Sequence, residues 1–225
     1  MTDPTGGLYP FLDGSDGSHA DALLEDVRSS TLRKAEEITE LRRSLWDAHE
    51  EDLAKAARLL ADAFRRGGKV LAFGNGGSAT DAQDLVVDLT APPFAGWRAL
   101  PAVSLVQDRG IVTAVGNDVG YEHVFARQVV AYGREGDVAV GFSTSGQSPN
   151  LLEAFREARS QGLGTLGFVG YDGGRLAKEG RLDAAIIAPS THIPRIQEAH
   201  ATAYHTLVHL VQALLDAEPP TREAP

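Results

Sequence analysis

Residues 69–89, KVLAFGNGGSATDAQDLVVDL, decide the fold of this chain. The apolar run at 70–73 leads into the glycine-rich turn Gly74–Ser78, and a segment with helical spacing follows. A short apolar run before such a turn is typical of a buried parallel strand. Ser78 stands where a helix N-cap belongs, and Asp81 follows three residues later, as in a capping box. The stretch therefore predicts a strand, a tight turn and a helix.

The same turn is suited to binding an anion. Free backbone N–H groups and the positive end of the helix dipole point at one spot, and the glycines allow a close approach. No Lys follows Gly77 as in a Walker loop, and the G-x-G-x-x-G spacing of dinucleotide folds is absent. Phosphate is the favoured ligand, and a plain strand–helix turn without a ligand is the alternative.

Composition excludes several classes of function. The chain has 225 residues, enough for one α/β domain with a large core. Its formal net charge of −10 argues against binding to nucleic acid. Without cysteine, neither disulfides nor thiolate metal sites can form. No apolar run reaches the ~18 residues of a membrane span, and the first residues lack a secretory signal pattern, so we expect a cytoplasmic protein and no membrane partner.

The order of patterns predicts one domain at residues 19–217, between a flexible N-terminal tail at 1–18 and a C-terminal tail at 218–225. Two amphipathic helices, at about 19–46 and 50–66, precede the first strand and have no strand of their own to cover, which favours packing on a partner subunit. The alternation that follows predicts a parallel sheet with helices on both faces. Further strands are predicted at 100–106, 137–142, 164–169 and 184–187, and helices at 110–115, 121–132, 149–161 and 195–216, with a turn at 116–118.

A second anion motif is the run STSGQS, residues 143–148, at the end of a predicted strand. Its four hydroxyl side chains and its N–H groups lie where Pro149 opens a helix. Ligands of open α/β sheets bind along this edge. A serine-rich cap is the plain alternative, but two such turns in one sheet favour a phosphosugar site that needs neither a metal nor an Arg clamp.

Two helices carry a third group of candidates. Asp84 and Asp88 are four residues apart and share a helix face. Gln197 and His205 are eight residues apart, slightly over two turns, and project to a similar side of the last helix. Such a set could bind a metal or move protons. A surface or core histidine without a function is the alternative, and spacing alone leaves both open.

Together these motifs resemble the sugar isomerase (SIS) family, and within it the bacterial phosphoheptose isomerases. The resemblance implies a five-stranded parallel, doubly wound sheet and a homotetramer with active sites at subunit interfaces. It also implies conversion of sedoheptulose 7-phosphate to D-glycero-D-manno-heptose 7-phosphate. The matching stretches are FGNGGSATDAQ at 73–83, TAVGNDVGYEHVFARQV at 113–129, REGDVAVGFSTSGQSPNLLEAF at 134–155, VGYDGGRLA at 169–177 and PRIQEAH at 194–200.

The resemblance also implies roles for individual residues. Asp88 would be the catalytic base and His205 the acid, and a zinc ion would be held by Asp84, Asp88, Gln197 and His205. The substrate-binding residues would be Asn75, Gly76, Ser78, Asp118, Ser143, Thr144, Ser145, Ser148 and Gln197, of which the four serines would hold the phosphate.

Three positions depart from the family pattern. The helix after the first turn usually carries a His and, four residues on, a Glu; here they are Asp84 and Asp88. A carboxylate often precedes the RIQE run, where this chain has Pro194. An oxygen in place of an imidazole predicts weaker zinc binding or a preference for a harder divalent ion.

Two classes of function stay open on the sequence. The first is an aldose–ketose isomerase that works through an enediol, or one acting on a closely related ketose phosphate. The second is a non-catalytic phosphosugar sensor or scaffold, like the replication-initiation regulators that share this fold. The altered residue at the base position, Asp88, favours the second class. Retention of Gln197, His205 and a carboxylate at position 88 favours the first.

Overall fold

The computed structural model describes residues 17–179 and 182–217. The predicted tails at 1–18 and 218–225 lie outside the described residues, except that residues 17 and 18 are helical. The chain divides into two compact units. The first ends at Glu40 and the second begins at Leu41. The limits predicted for a single domain stay a prediction.

Helices and strands alternate along the described chain. One long helix precedes the first strand, and its backbone leaves helical geometry at His49 (φ −128°, ψ 19°), between the two predicted helices. The strands are β1 (Val70–Gly74), β2 (Ala102–Ser104), β3 (Val138–Ser143), β4 (Gly164–Gly170) and β5 (Ala184–Ala188). The helices are α1 (Gly17–Arg65), α2 (Gly77–Thr90), α3 (Arg109–Asp118), α4 (Ala126–Tyr132), α5 (Pro149–Ser160), α6 (Gly174–Lys178) and α7 (Ile193–Ala217), with a 3-10 turn at Tyr121–His123.

The five strands form one parallel sheet in the order β2-β1-β3-β4-β5, which confirms the predicted sheet. The chain leaves β1 toward β2 on one side and then returns to β3 on the other. The winding therefore reverses between β1 and β3, which makes a crevice at their carboxyl ends. Register pairs Gly74 with Phe142, so the turns after β1 and β3 begin at the same level.

Side chains from both faces of the sheet are buried against helices. On one face the Phe73 ring lies 5.4 Å from that of Phe125 and 5.2 Å from that of Phe155. On the other face Phe142 and Phe168 stack at 4.7 Å, and α7 lies over them. Coverage of both faces explains why the strands are apolar throughout rather than alternating.

Two predicted boundaries were wrong because the turn glycine was misplaced. Residues 116–118 were predicted as a turn but lie inside α3, whose start is capped by the Asp108 side chain accepting from the Ile111 N–H at 3.0 Å. The chain turns instead at Gly120, whose φ of 136° suits glycine alone. A 3-10 turn then precedes α4, so the predicted helix at 121–132 is divided. Strand β2 is shorter than predicted.

The predicted cap of α2 was also wrong. Gly76, with φ 56°, occupies the N-cap position and makes no side-chain cap, so the helix begins one residue earlier than Ser78. Ser78 is buried in the first turn, and Asp81 faces α7 rather than closing a capping box. At α5 the prediction is confirmed, since Ser148 holds the cap position and Pro149 opens the helix.

None of the described helices is both long and apolar enough to cross a membrane.

His200 is a buried polar side chain on α7 that contacts the sheet. Its ring lies 6.4 Å from that of Phe142 and 6.0 Å from that of Phe168. Within the described part of the chain neither ring nitrogen makes a hydrogen bond of good geometry. The interaction of the ring with the Val169 backbone raises the pKa, but it only partly offsets the effect of burial. Burial therefore lowers the pKa of His200 to about 4.

We expect this histidine to make the free energy of unfolding depend on pH. The unfolded state takes up a proton near the ordinary value of 6.5, whereas the folded state resists until about 4. The free energy of unfolding therefore keeps its full value above pH 6.5. As the pH drops from 6.5 to about 4, it falls by about 1.4 kcal/mol for each pH unit. In urea unfolding series at different pH values, His200→Leu should make the free energy of unfolding depend less on pH in this range. His192→Leu, which changes an exposed histidine, is the control and should keep the wild-type dependence; an unchanged slope in His200→Leu would contradict the assignment.

Candidate active site

The two turns that were predicted to bind an anion meet in the crevice between β1 and β3. A reciprocal pair of amide hydrogen bonds joins them, Asn75 Nδ2 to Asn150 Oδ1 and Asn150 Nδ2 to Asn75 Oδ1, each 2.9 Å. The Tyr121 hydroxyl donates to Asn75 Oδ1 at 3.1 Å. Asn75 is therefore held from two sides at the mouth of the crevice. Sequence reasoning missed Asn150 and Tyr121, although both lie in the quoted family stretches.

The serine turn after β3 is fixed by its own backbone. Ser143 Oγ accepts from the Gly146 N–H at 3.0 Å and lies 3.4 Å from Ser148 Oγ. Ser145 Oγ accepts from the Gln147 N–H at 3.2 Å, so its own O–H proton can donate outward. Gly146 has φ 63°, and a Cβ there would lie 2.3 Å from the Gly173 carbonyl oxygen. A side chain at this position would separate the serine turn from the glycine loop that supports it.

One turn thus holds Ser143, Ser145 and Ser148. Ser78 lies buried at the start of α2, the helix that follows the neighbouring strand β1. Convergence of all four on one anion stays a prediction. Thr144 lies in the serine turn, half-buried, and Asp118 lies exposed at the end of α3, where it accepts from Asn117 Nδ2 at 2.7 Å.

The two carboxylates and the histidine predicted from spacing are brought together. Helices α2 and α7 contact each other. His205 Nε2 lies 3.3 Å from Asp88 Oδ2 and 3.6 Å from Asp84 Oδ2. His205 and Asp84 are each about half exposed (53%), while Asp88 is more enclosed (18%). Burial raises the pKa of Asp88, His205 opposes that shift, and Asp84 adds to it.

Tyr204 is a functional neighbour that sequence reasoning missed. Its hydroxyl donates to Asp84 Oδ2 at 2.5 Å, and its ring is buried against Phe142 and Phe168. Burial raises the pKa of Tyr204, and the hydrogen bond to Asp84 raises it further. The residue precedes His205 on α7, so adjacency to a candidate was the available signal.

Gln197 and Asp81 form a second contact between the same helices. The amide of Gln197 lies across Gly77, where a Cβ would stand 2.0 Å from Nε2, and it hydrogen-bonds Asp81. Among the described residues Asp81 Oδ2 is buried without a partner. Burial, and next the charge of Asp84, raise the pKa of Asp81 to about 6, against the opposing effect of Gln197. Asp81 stands three residues before Asp84, one helical turn away, a spacing that could have suggested it.

The predicted metal ligands do not fit a metal centre in this arrangement. Residues 17–179 and 182–217 contain no group of three or more His, Asp or Glu side chains placed to hold an ion. The Asp84 oxygen nearest His205, Oδ2, accepts a hydrogen bond from the Tyr204 hydroxyl. Gln197 faces Asp81. Of the proposed set, Asp84, Asp88 and His205 therefore lie together, whereas Gln197 is paired with Asp81 and the Asp84 oxygen nearest His205 already accepts from Tyr204.

Pro194, which replaces a family carboxylate, lies exposed in the first turn of α7. Proline is well suited to that place because the first N–H groups of a helix have no partner within it. The helix starts at Ile193, two residues before the predicted start.

A cavity of about 690 Å³ opens beside Asp88 and His205. Its far wall is aromatic, with Phe94 and Trp97 at 4.8 Å and Trp97 and His209 at 5.2 Å between ring centroids. A carboxylate and a histidine in contact at the edge of an open cavity of this size could act as acid and base on a small organic substrate.

In sequence and in fold the chain is similar to bacterial phosphoheptose isomerases. Residues 35–170 match the family model of the SIS domain. A phosphoheptose isomerase from Geobacter sp. (strain M21) is 42% identical over 190 residues, which cover 84% of this chain and 96% of that protein. One from Pelobacter propionicus is 44% identical over 180 residues, covering 78% and 94%. The solved phosphoheptose isomerase from Neisseria gonorrhoeae superposes with a TM-score of 0.77 at 34% identity, covering 83% of this chain and 99% of that one.

Proposed function

Because this chain belongs to the phosphoheptose isomerases, a family of SIS-domain enzymes, we propose that it converts sedoheptulose 7-phosphate to D-glycero-D-manno-heptose 7-phosphate. A closely related ketose phosphate is included in the proposal. The reaction is an intramolecular aldose–ketose isomerisation, in which a carbonyl group moves between C1 and C2.

The contact between Asp88 and His205 is the observation that supports this reaction most directly. Their Oδ2 and Nε2 atoms lie 3.3 Å apart at the edge of a cavity. In the proposed mechanism Asp88 takes the proton from C1 of the ketose, which gives an enediol, and returns it to C2. His205 moves a proton from O1 to O2 in the same sequence, so no proton is gained or lost overall.

Hydroxyl and N–H donors would bind the phosphate. The turn of residues 143–148 brings three serines together, and Ser78 belongs to the neighbouring turn. Asn75, Gly76, Thr144, Asp118 and Gln197 complete the proposed substrate-binding set. Gly76 contributes through its backbone, since its φ of 56° turns the chain into α2.

Asp88 and His205 are in contact despite the departures at Asp84 and Pro194, and the named relatives are isomerases rather than binding proteins. The alternative of a non-catalytic sensor or scaffold therefore has no support from them. A zinc ion is not needed for any step written above, and the hydrogen bonds of Asp84 and Gln197 oppose the ligand set expected from the family.

Assembly into a homotetramer is part of the proposal. Residues 17–40 of α1 expose the large apolar side chains of Leu23, Leu24, Val27 and Leu32, which favours burial against other copies of the chain. We also propose a cytoplasmic location, which suits a chain without cysteine.

For the proposed function, the first of three predictions concerns catalysis. In D₂O the wild type should place deuterium at C2 of the aldose product, because Asp88 exchanges its proton with solvent while the enediol is bound. Asp88→Asn and His205→Ala should each lower the rate by at least about a hundredfold, as is typical when an acid or base is lost. NMR of sedoheptulose 7-phosphate incubations measures both. If the wild type isomerises no faster than these variants, the proposed function is wrong.

The second prediction concerns the phosphate. Ser145→Ala removes an O–H donor whose oxygen already accepts from Gln147, so the loss is that of a hydrogen bond to a charged group. Sugar-phosphate binding should weaken by about 1–3 kcal/mol in calorimetry. Ser160→Ala is the control, because Ser160 donates to the Glu157 carbonyl on the surface of α5. Equal affinities of both variants would remove Ser145 from the site.

The third prediction concerns assembly. Light scattering at micromolar concentration should give a mass about four times that of the 23.9 kDa chain. A particle with the mass of one chain would contradict the proposal, since the apolar surface of α1 would then stay in water.

A further inference from the structure

The contact between Tyr204 and Asp84 changes what the site can bind. The Tyr204 hydroxyl lies 2.5 Å from Asp84 Oδ2, the same oxygen that lies 3.6 Å from His205 Nε2. At this distance the phenol O–H is donated to the carboxylate. The oxygen of Asp84 that faces the histidine is therefore already a hydrogen-bond acceptor.

Tyr204 cannot easily leave that position. Its side chain is 2% exposed and meets Phe142 and Phe168 edge-on, with ring centroids 5.8 Å and 6.4 Å apart. Edge-to-face aromatic pairs are favourable, and a closely packed interior leaves no other room for the ring. A cation at Asp84 Oδ2 would therefore share that oxygen with a fixed hydroxyl that already takes up part of its negative charge.

We propose that the Tyr204–Asp84 pair takes the place of a metal ion in this enzyme and that the isomerisation proceeds without a divalent metal. The part of this inference that concerns the reaction rests on the proposed function. The part that concerns metal binding does not. Tyr204 is a positioning residue, since it acts through Asp84.

The pair would do two things for the reaction. It keeps a carboxylate beside His205 without letting it turn away, so the imidazole lies between Asp84 and Asp88. Without a metal ion, the hydrogen-bond donors of the site would polarise the substrate oxygens. His205 provides the proton for O2 in the mechanism above, so atoms and charges balance without a Lewis acid.

Zinc affinity after dialysis against a chelator tests the proposal, with a chromophoric chelator as competitor. The variants are Tyr204→Phe, which frees Asp84, and the double variant Asp84→His with Tyr204→Phe, which also supplies an imidazole. We expect the wild type to retain no zinc, Tyr204→Phe to bind it at least about tenfold more tightly, and the double variant more tightly again. Tyr132→Phe, which changes an exposed tyrosine, is the control and should match the wild type.

Asp84→Asn keeps the shape of the contact and covers the case in which Tyr204→Phe fails to fold. If the proposal holds, zinc affinity of Asp84→Asn equals that of the wild type, because Asp84 is not a ligand. One tightly bound zinc per wild-type chain that is lost in Asp84→Asn would overturn the proposal. Equal zinc affinity of Tyr204→Phe and the wild type would overturn it as well.

The rate of isomerisation is the second measurement. The wild-type rate should stay within about twofold when chelator or zinc is added, because no step uses an ion. Loss of activity in chelator with recovery in zinc would overturn the proposal. If no protein isomerises the sugar phosphate under any condition, the proposed function fails, while the zinc affinities still judge the role of Tyr204.

Discussion

The parallel register of β1 and β3 is the constraint on which the rest of the site depends. Pairing of Gly74 with Phe142 brings two turns to one level at the carboxyl edge of the sheet, and each turn leads into a helix. Both turns then border the same crevice. The Asn75–Asn150 amide pair links the turns, and the serine turn holds its own shape through hydrogen bonds from the Gly146 and Gln147 N–H groups to serine hydroxyls.

The proposed catalytic residues meet at a different contact, between α2 and α7. Helix α2 begins at Gly77 without a side chain, which lets the Gln197 amide of α7 lie across it. From that start α2 presents carboxylates at intervals of one turn toward α7, where Tyr204 and His205 meet them. The glycine turn therefore serves both functions, since it faces the crevice and also sets how closely the reactive helices approach.

Much of the fold was predictable, because a parallel sheet needs continuous apolar runs and each run ends in a recognisable turn. The sequence also indicated Asp84, Asp88 and His205, because helical spacing predicts which side chains share a face. For Tyr204 and Asp81 it offered only their positions, one next to His205 and the other one turn before Asp84. Their importance comes from a partner on another helix, and a buried tyrosine or an aspartate in a first turn reads equally well as packing or capping. The same ambiguity made Ser78 a predicted cap, whereas the positive φ of Gly76 starts the helix earlier.

The residue at position 84 is better understood together with position 204 than alone. An aspartate placed beside Asp88 and Asp81 adds negative charge to a crowded helix face, and Asp84 does raise the pKa of both neighbours. The Tyr204 hydroxyl offsets this by donating a strong hydrogen bond from a buried and therefore ordered ring. Each residue is costly without the other, since a buried phenol needs an acceptor and a clustered carboxylate needs a donor. The departure from the family pattern at position 84 is thus compensated within this chain, next to an acid–base pair that it leaves in contact.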